Sequence, residues 1–370
     1  MIDYPKFKVA AAHVAPIFLD AGKTVAKACS LIAEAANAGA RLIAFPESFV
    51  PAFPVWAGVQ APIKNHEYFK CLAANSIAVP GPEVDRLRAA ARAHSIVVSI
   101  GISERGPASV GCLWNSNLLI GDDGQILNHH RKLVPTYYEK LIWANGDGDG
   151  LRVSETAVGR IGMLICGENT NPLARYSLIA QGEQVHVSSY PPVWPTREPG
   201  DASRYDLASA IRIRAGAHSF EGKVFNVVAS AVLDRAAFDA LSDLEPSATR
   251  TLEESPRGVS MVLGPSGEII GDTLCAEEGI LYRDIDIAQC VEPKQFHDIV
   301  GYYNRFDVFD LSVHRRRTGP ISFEDGVEAP GESPADVRMG PPGDNDGRNK
   351  DRYRDADLPE DDAARLHRAV

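Results

Sequence analysis

Residues 159–176 read "GRIGMLICGENTNPLARY". Three apolar residues, Met163 to Ile165, run straight into Cys166. Gly167 then offers a turn free of Cβ constraint. Asn169 or Thr170 is placed to cap a helix starting near Asn171, and Pro172 suits the first turn of that helix. The pattern is strand, sharp turn, helix. It leaves two readings of Cys166. One is a small buried hydrophobe at a strand end. The other is a thiol held at a strand-to-helix elbow, where free N–H groups and the helix dipole favour a thiolate and an oxyanion.

The same alternation extends in both directions. Toward the N-terminus, "FKVAAAHVAP" reads as a strand, "AGKTVAKACSLIAEAANAGA" has helical spacing and ends at Gly39, and "RLIAFPE" is a short buried strand. A helix over about Pro82 to His94 precedes the strand "IVVSIGISE". "WNSNLLIG", the turn "DDGQ" and "ILNHHRKL" form a hairpin. After Cys166 come a helix to about Gln181, the strand "QVHVSSYPP", a helix from about Ala202 to Phe220, the strand "KVFNVVASAV", the hairpin "SMVLGPSGEIIG" and the strand "GILYRDIDI". This is an α/β chain with more antiparallel hairpins than a purely parallel doubly wound sheet carries.

Composition sets the outer limits. The chain has 370 residues, 45% of them hydrophobic and 24% charged, enough to bury a sizeable core in one large or two moderate domains. A formal net charge of -11 argues against nucleic acid and anionic membrane surfaces as partners. No apolar run reaches the roughly 18–20 residues of a membrane span. The start lacks the basic and apolar regions of a signal peptide, which predicts a cytoplasmic protein. Cysteines 29, 71, 112, 166, 275 and 290 show no CxxC spacing and read as reduced thiols. From Thr318 the chain carries 13 acids and 7 bases and few apolar residues, the composition of a disordered or loosely docked tail.

A charged residue at the end of a buried strand needs a reason, because desolvating a charge is costly. Besides Cys166, two places raise this question. In "LIAFPESF", Pro46 stops the strand and leaves Glu47 at its carboxyl end, where open α/β folds build sites. A capping or salt-bridging role is the simpler alternative. In "HHRKLVPTYYEKLIW", Pro135 ends the stretch that carries Lys132, and Glu139 follows. Arg131 and Lys132 taken alone read as a solvated strand face. Together the three polar ends supply complementary roles. A thiol nucleophile needs a base, which a carboxylate of raised pKa can be. A fixed ammonium can stabilise the charge that attack on C=O or C≡N creates, and so can the Gly167 N–H.

These residues resemble the nitrilase superfamily of carbon–nitrogen hydrolases and its Glu-Lys-Cys triad. "FPESF" carries the glutamate, "HRKLVPTYYEK" the lysine and "LICGEN" the cysteine, in the family's order, over roughly residues 6 to 310. "CGEN" in place of "CYD", with "GDGDGLRV" and "EQVHVSSYPPVWP", points to the nitrile-hydrolysing branch. "WANGDG", Trp143 to Gly148, departs from the family's usual Trp-Gly spacing at the pocket edge. The resemblance implies a four-layer α-β-β-α sandwich and a hydrolase domain over residues 6–290. An extension over 291–317 is available for subunit contacts, and the tail spans 318–370. It implies a homodimer or larger spiral homo-oligomer and no metal or organic cofactor. It also implies hydrolysis of a small-molecule nitrile by water, with Cys166 as nucleophile, Glu47 as base, Lys132 stabilising developing charge and Glu139 holding Lys132. Phe53, Trp56, Tyr137, Tyr190 and Trp194, with Tyr138, are the candidate pocket residues. The competing readings are an amidase or carbamoylase of the same superfamily, a cyanide-hydrolysing enzyme, a Cys–His dyad through His130, and a binding protein that kept the fold.

Overall fold

A computed structural model describes residues 4–317 apart from position 204. The expected tail over 318–370 lies outside the described residues. In chain order the strands are β1 Lys6–His13, β2 Ala40–Ala44, β3 Val97–Arg105, β4 Leu113–Ile120, β5 Ile126–Arg131, β6 Ser154–Thr156, β7 Gly159–Ile165, β8 Val185–Tyr190, β9 Phe225–Ser230, β10 Met261–Leu263 and β11 Gly279–Asp286. The α-helices are α1 Ala21–Asn37, α2 His66–Asn75, α3 Pro82–His94, α4 Pro172–Ile179, α5 Leu207–Gly222, α6 Arg235–Ser242, α7 Ala248–Glu254 and α8 Val291–Phe296.

The strands form two sheets, ordered β11-β1-β2-β3-β4-β5 and β10-β9-β8-β7-β6. The middle strands of each are parallel and the outer ones antiparallel: β1, β2 and β3 run together, as do β7, β8 and β9. The two-residue period of a strand then sorts the core. Val9 and Ala11 of β1 pack with Met163, Val187 and Val227 of the second sheet. Ala10 and Ala12, one position out of phase, pack under Val25 and Ile32 of α1 and Leu87 of α3. On the second sheet, Leu164 packs with Ala174 and Leu178 of α4. The result is helix, sheet, sheet, helix, the expected four-layer α/β sandwich.

Local chemistry explains the element ends. Asp20 accepts a hydrogen bond from the Lys23 N–H at the start of α1, and Asp206 caps α5 in the same way through Ser209. The cap of α4 differs from the expectation. Asn171 itself accepts from the Leu173 and Ala174 N–H groups, while Cys166–Thr170 forms a separate turn of 3₁₀ helix. Asn169 and Thr170 therefore do not cap α4, and the helix begins six residues beyond Cys166. Of the "SMVLGPSGEIIG" hairpin, only the first arm is a strand; its return is held by the Leu263–Ile269 bridge and the Ile270 N–H bond to the Val262 carbonyl.

One buried ion cluster stiffens the β3–β4–β5 edge that leads into Lys132. Glu104 on β3 accepts from Arg131 Nη2 at 2.5 Å, from His129 Nε2 at 2.7 Å and from Ser116 Oγ at 2.5 Å. The Arg131 guanidinium also lies 4.0 Å from the centre of the Trp114 ring. Burial works against the Glu104 charge, but His129 and Arg131 outweigh it and hold the carboxyl well below the usual carboxylate range. A depressed acid contributes stability above its unfolded pKa and loses it as pH falls. Glu104→Gln is therefore expected to cost about 3 kcal/mol in urea unfolding at pH 7, because it breaks the buried ion pair with Arg131. The difference from wild type should shrink as the pH is lowered below about 4.5, the usual range of a Glu carboxyl.

Candidate active site

The backbone brings the three strand ends together. Beyond β2, the Phe45 N–H still bonds to the Ser99 carbonyl. The chain then turns at Pro46, and Ser48 takes a φ of 46°. The backbone of Pro46 to Ser48 lies so close to Gly101 on β3 that any Cβ there would collide with it. Lys132, one residue past β5, continues the ladder by donating its N–H to the Asn115 carbonyl at 2.8 Å. Cys166 follows β7 directly.

At this junction Lys132 Nζ lies 2.7 Å from Glu47 Oε1 and 2.6 Å from Glu139 Oε2. An oxygen of each carboxylate lies within 4.8 Å of the other and of Cys166 Sγ. All four side chains are buried. Asn115 Nδ2 donates to Glu47 Oε1 at 2.7 Å, and the Thr136 N–H donates to Glu139 Oε2 at 3.0 Å. Glu47 Oε2 and Glu139 Oε1 have no hydrogen-bond partner among the described residues. The expected triad and its second glutamate are thus one contiguous group. The lysine occupies the place between the two carboxylates that a cation would otherwise take.

The electrostatics follow from burial. Desolvation alone would lower the Lys132 pKa, but Glu139, Glu47 and Cys166 reverse this and hold the ammonium well above its ordinary value. Burial pushes Glu139 up to about 7, with Glu47 adding to the shift and Lys132 opposing it. Burial, then Glu47, also raises the Cys166 thiol well above its usual range, against the pull of Lys132. A thiol so placed would need a base to act as a nucleophile.

Cys166 itself, not Gly167, takes the left-handed backbone, with φ 50°. For a residue other than glycine this costs on the order of 1–3 kcal/mol and persists only where neighbours enforce it. Here they do. Glu168 accepts from the Ile165 N–H at 2.8 Å and the Leu133 N–H at 2.5 Å, tying the Lys132 and Cys166 segments together. Its third partner is His130 Nε2 at 2.9 Å. His130 is therefore engaged with Glu168, which argues against a Cys–His dyad. Asn169 Nδ2 donates to the Leu164 and Cys166 carbonyls at 3.2 and 3.1 Å. Gly167 is needed for a different reason from the one expected: a Cβ there would lie 2.7 Å from Thr136 Oγ1.

The aromatic candidates divide. Phe53, Trp56, Tyr190 and Trp194 are buried in one apolar cluster that includes Cys166 and Tyr138. Tyr138 stacks on Trp194 at 4.6 Å, and Phe53 lies 5.7 Å from Trp143 and 5.9 Å from Trp194. Trp143, in the segment that departs from the family spacing, donates to Ser103 Oγ at 3.0 Å and backs Phe53. The Tyr190 and Tyr138 hydroxyls are buried without a partner among the described residues. Tyr137 instead is 66% exposed and lies on an open groove with Thr136, Trp194 and Tyr205. Arg214 on α5, not anticipated from the sequence, donates to the Tyr205 hydroxyl at 2.6 Å on the same side.

The fold and this constellation define a class. Residues 8–295 match the carbon-nitrogen hydrolase family, and the chain belongs to that family. It is 36% identical over 326 residues to an aliphatic nitrilase of Rhodococcus rhodochrous, covering 87% of each chain. It is 33% identical to a nitrilase of Paraburkholderia phymatum, covering 87% of this chain and 90% of that one. Among solved structures, a carbon-nitrogen hydrolase from Helicobacter pylori shares the fold with a TM-score of 0.62 at 18% identity, over 82% of this chain and 97% of that one.

Proposed function

We propose that this chain is a nitrilase that hydrolyses an organic nitrile to the carboxylic acid and ammonia through covalent intermediates on Cys166. The observation that carries the mechanism is Glu47. One of its oxygens is held by Lys132 and Asn115, and the other has no partner, with the carboxylate beside Cys166 Sγ. Nitrile specificity rests on the nitrilases that this chain resembles over most of its length.

The steps balance as follows. Glu47 takes the thiol proton as Sγ attacks the nitrile carbon, and the nitrogen receives that proton to give a thioimidate. Lys132 and the Gly167 N–H stabilise the charge that grows on nitrogen during attack. A water activated by Glu47 adds to the thioimidate carbon, and the C–N bond breaks to release ammonia. A second water hydrolyses the remaining thioester, giving the acid and restoring the thiol. Glu139 keeps Lys132 in place. No redox or metal step is required. The wall of Phe53, Trp56, Tyr138, Tyr190 and Trp194 suits a substrate with an apolar or aromatic body, with Tyr137 at the rim.

Residues 6–290 are taken as the hydrolase domain. The extension over 291–317 exposes Tyr302, Tyr303, Phe306 and Phe309, which favours a role in homo-oligomer contacts. Among the described residues no helix is long and apolar enough to cross a membrane.

Ammonia release from aliphatic, arylaceto- and aromatic nitriles, each assayed beside its amide, tests the proposal. The expected result is acid and ammonia in equal amounts from at least one nitrile class, with the amide hydrolysed more slowly. Turnover of amides with every nitrile inert would make the protein an amidase instead.

A further inference from the structure

A second buried ionisable cluster lies behind the Cys166 elbow. Glu183 precedes β8, His186 is on β8 and His218 is on α5, and all three are buried. Glu183 Oε1 meets His186 Nδ1 at 2.7 Å, and Glu183 Oε2 meets His218 Nε2 at 2.6 Å. The two imidazole rings stack with centres 3.7 Å apart. Gly162 on β7 leaves the space that the Glu183 carboxylate fills, since any Cβ at that position would collide with it. Both ring nitrogens facing the carboxylate are already at hydrogen-bond distance, so the group is satisfied within itself rather than open for a metal ion.

The cluster is joined to the nucleophile by hydrogen bonds. His186 Nε2 lies 3.0 Å from Asn169 Oδ1, and Ser188 Oγ donates to the same oxygen at 3.1 Å. The opposite end of that amide, Nδ2, donates to the carbonyls of Leu164 and Cys166. Donor counting fixes the orientation. Asn169 can support two carbonyls only if its NH₂ faces them and its oxygen faces His186 and Ser188. That requires a proton on His186 Nε2. A second proton must then lie in the His186–Glu183 contact, because a bare nitrogen cannot face a carboxylate at that distance. Burial and the stacked His218 ring lower the His186 pKa, and the Glu183 carboxylate opposes the shift. With the amide reversed, its oxygen would face two carbonyl oxygens and the left-handed Cys166 would lose its support.

We infer that Glu183, His186 and His218, with Ser188, are positioning residues that fix the Asn169 amide and thereby hold the Cys166 elbow in its strained, reactive geometry. None of them lies within the triad, and the inference rests on the reading of Cys166 as the nucleophile. Displacing a nucleophile by a fraction of an ångström to 1 Å from its base can cost up to about 100-fold in rate.

The test uses His218→Leu, His218→Gln and Ser188→Ala in the full chain. Each is measured for kcat and KM on the best nitrile, for the rate of Cys166 alkylation by iodoacetamide read by peptide mass, and for Tm. His218→Leu, which removes the donor to Glu183, should lower kcat by about tenfold or more with KM nearly unchanged, and slow Cys166 alkylation in parallel. His218→Gln, which keeps an N–H donor, should restore a large part of both rates. Ser188→Ala removes a single hydroxyl, leaves the core filled, and carries the test if His218→Leu does not fold. Here kcat should fall several-fold at unchanged KM. A folded His218→Leu or Ser188→Ala enzyme with kcat and alkylation rate within twofold of wild type overturns the inference. So does a loss in His218→Leu that His218→Gln does not relieve. The underlying reading fails separately, if Cys166→Ala keeps its nitrile turnover.

Discussion

Cys166→Ala is expected to bring nitrile hydrolysis down to the uncatalysed background while leaving the fold intact. The substitution removes one sulfur atom from a buried position whose backbone is already set by its neighbours. The Glu168 bonds to Ile165 and Leu133 and the Asn169 bonds to Leu164 and Cys166 use no atom of the thiol. Alanine accepts the left-handed φ at a similar cost, so the stability change should stay near the roughly 1 kcal/mol of a typical point mutation. The chemistry has no substitute, because a water replacing the thiol would lose both nucleophilicity and the covalent intermediate. Near-UV circular dichroism and Tm check the fold, and ammonia release checks the activity. Turnover above a few per cent of wild type would remove Cys166 from the mechanism.

Lys132→Met is expected to have a second large effect, on stability as well as on rate. Methionine fills much of the volume but leaves Glu47 and Glu139 facing each other in a dry site. Breaking a buried pair by removing one partner costs on the order of 3–5 kcal/mol. The protein can recover part of this by protonating a carboxylate. Glu139, already raised to about 7 by burial and by Glu47, loses the main neighbour that opposed the shift, with only the Thr136 N–H left to oppose it, and should rise further. A raised carboxyl binds more protons in the folded state than in the unfolded state, so it favours folding less as pH rises from about 4.5 towards its folded value. Lys132→Met should therefore be more stable at pH 5 than at pH 8, by urea unfolding, with a steeper slope than wild type. Activity should be lost at both pH values, because the ammonium that meets the developing negative nitrogen is gone. A variant equally stable at both pH values would show that the two carboxylates do not depend on Lys132.

Much of the site was legible because each catalytic candidate sits at a strand end marked by a nearby breaker. Pro46 after Phe45, Pro135 after Lys132 and Gly167 after Cys166 mark strand ends without any knowledge of the partner strands. The α/β class was legible in the strand and helix periods, while the four layers were implied only by the resemblance to the nitrilase superfamily. What the sequence hid was long-range. Glu168 was not singled out in the sequence, and besides Ile165 its partners are Leu133 and His130, more than thirty positions away. Asn169 reads as a cap, but its amide is committed to the elbow and to His186, and Asn171 takes the cap. Asn115 gave no signal at all, because its partner Glu47 lies 68 positions away, past the end of β2. Tyr137 and Tyr138 look alike in sequence. The positive φ of 52° at Tyr137 sends one ring out to the groove and leaves the other stacked on Trp194. Helices α2, α6 and α7 are short and were not anticipated.

The central claim is that one thiol, Cys166, carries the reaction. The chain has five other free cysteines, of which Cys71 and Cys275 are exposed. The most direct test is to alkylate the enzyme stepwise with iodoacetamide, map each cysteine by peptide mass, and plot residual nitrile hydrolysis against the fraction of each that is modified. The account predicts that activity survives modification of Cys71 and Cys275 and falls in proportion to Cys166 modification, reaching zero when Cys166 is fully alkylated. Hydrolysis persisting in enzyme whose Cys166 is completely alkylated would contradict it.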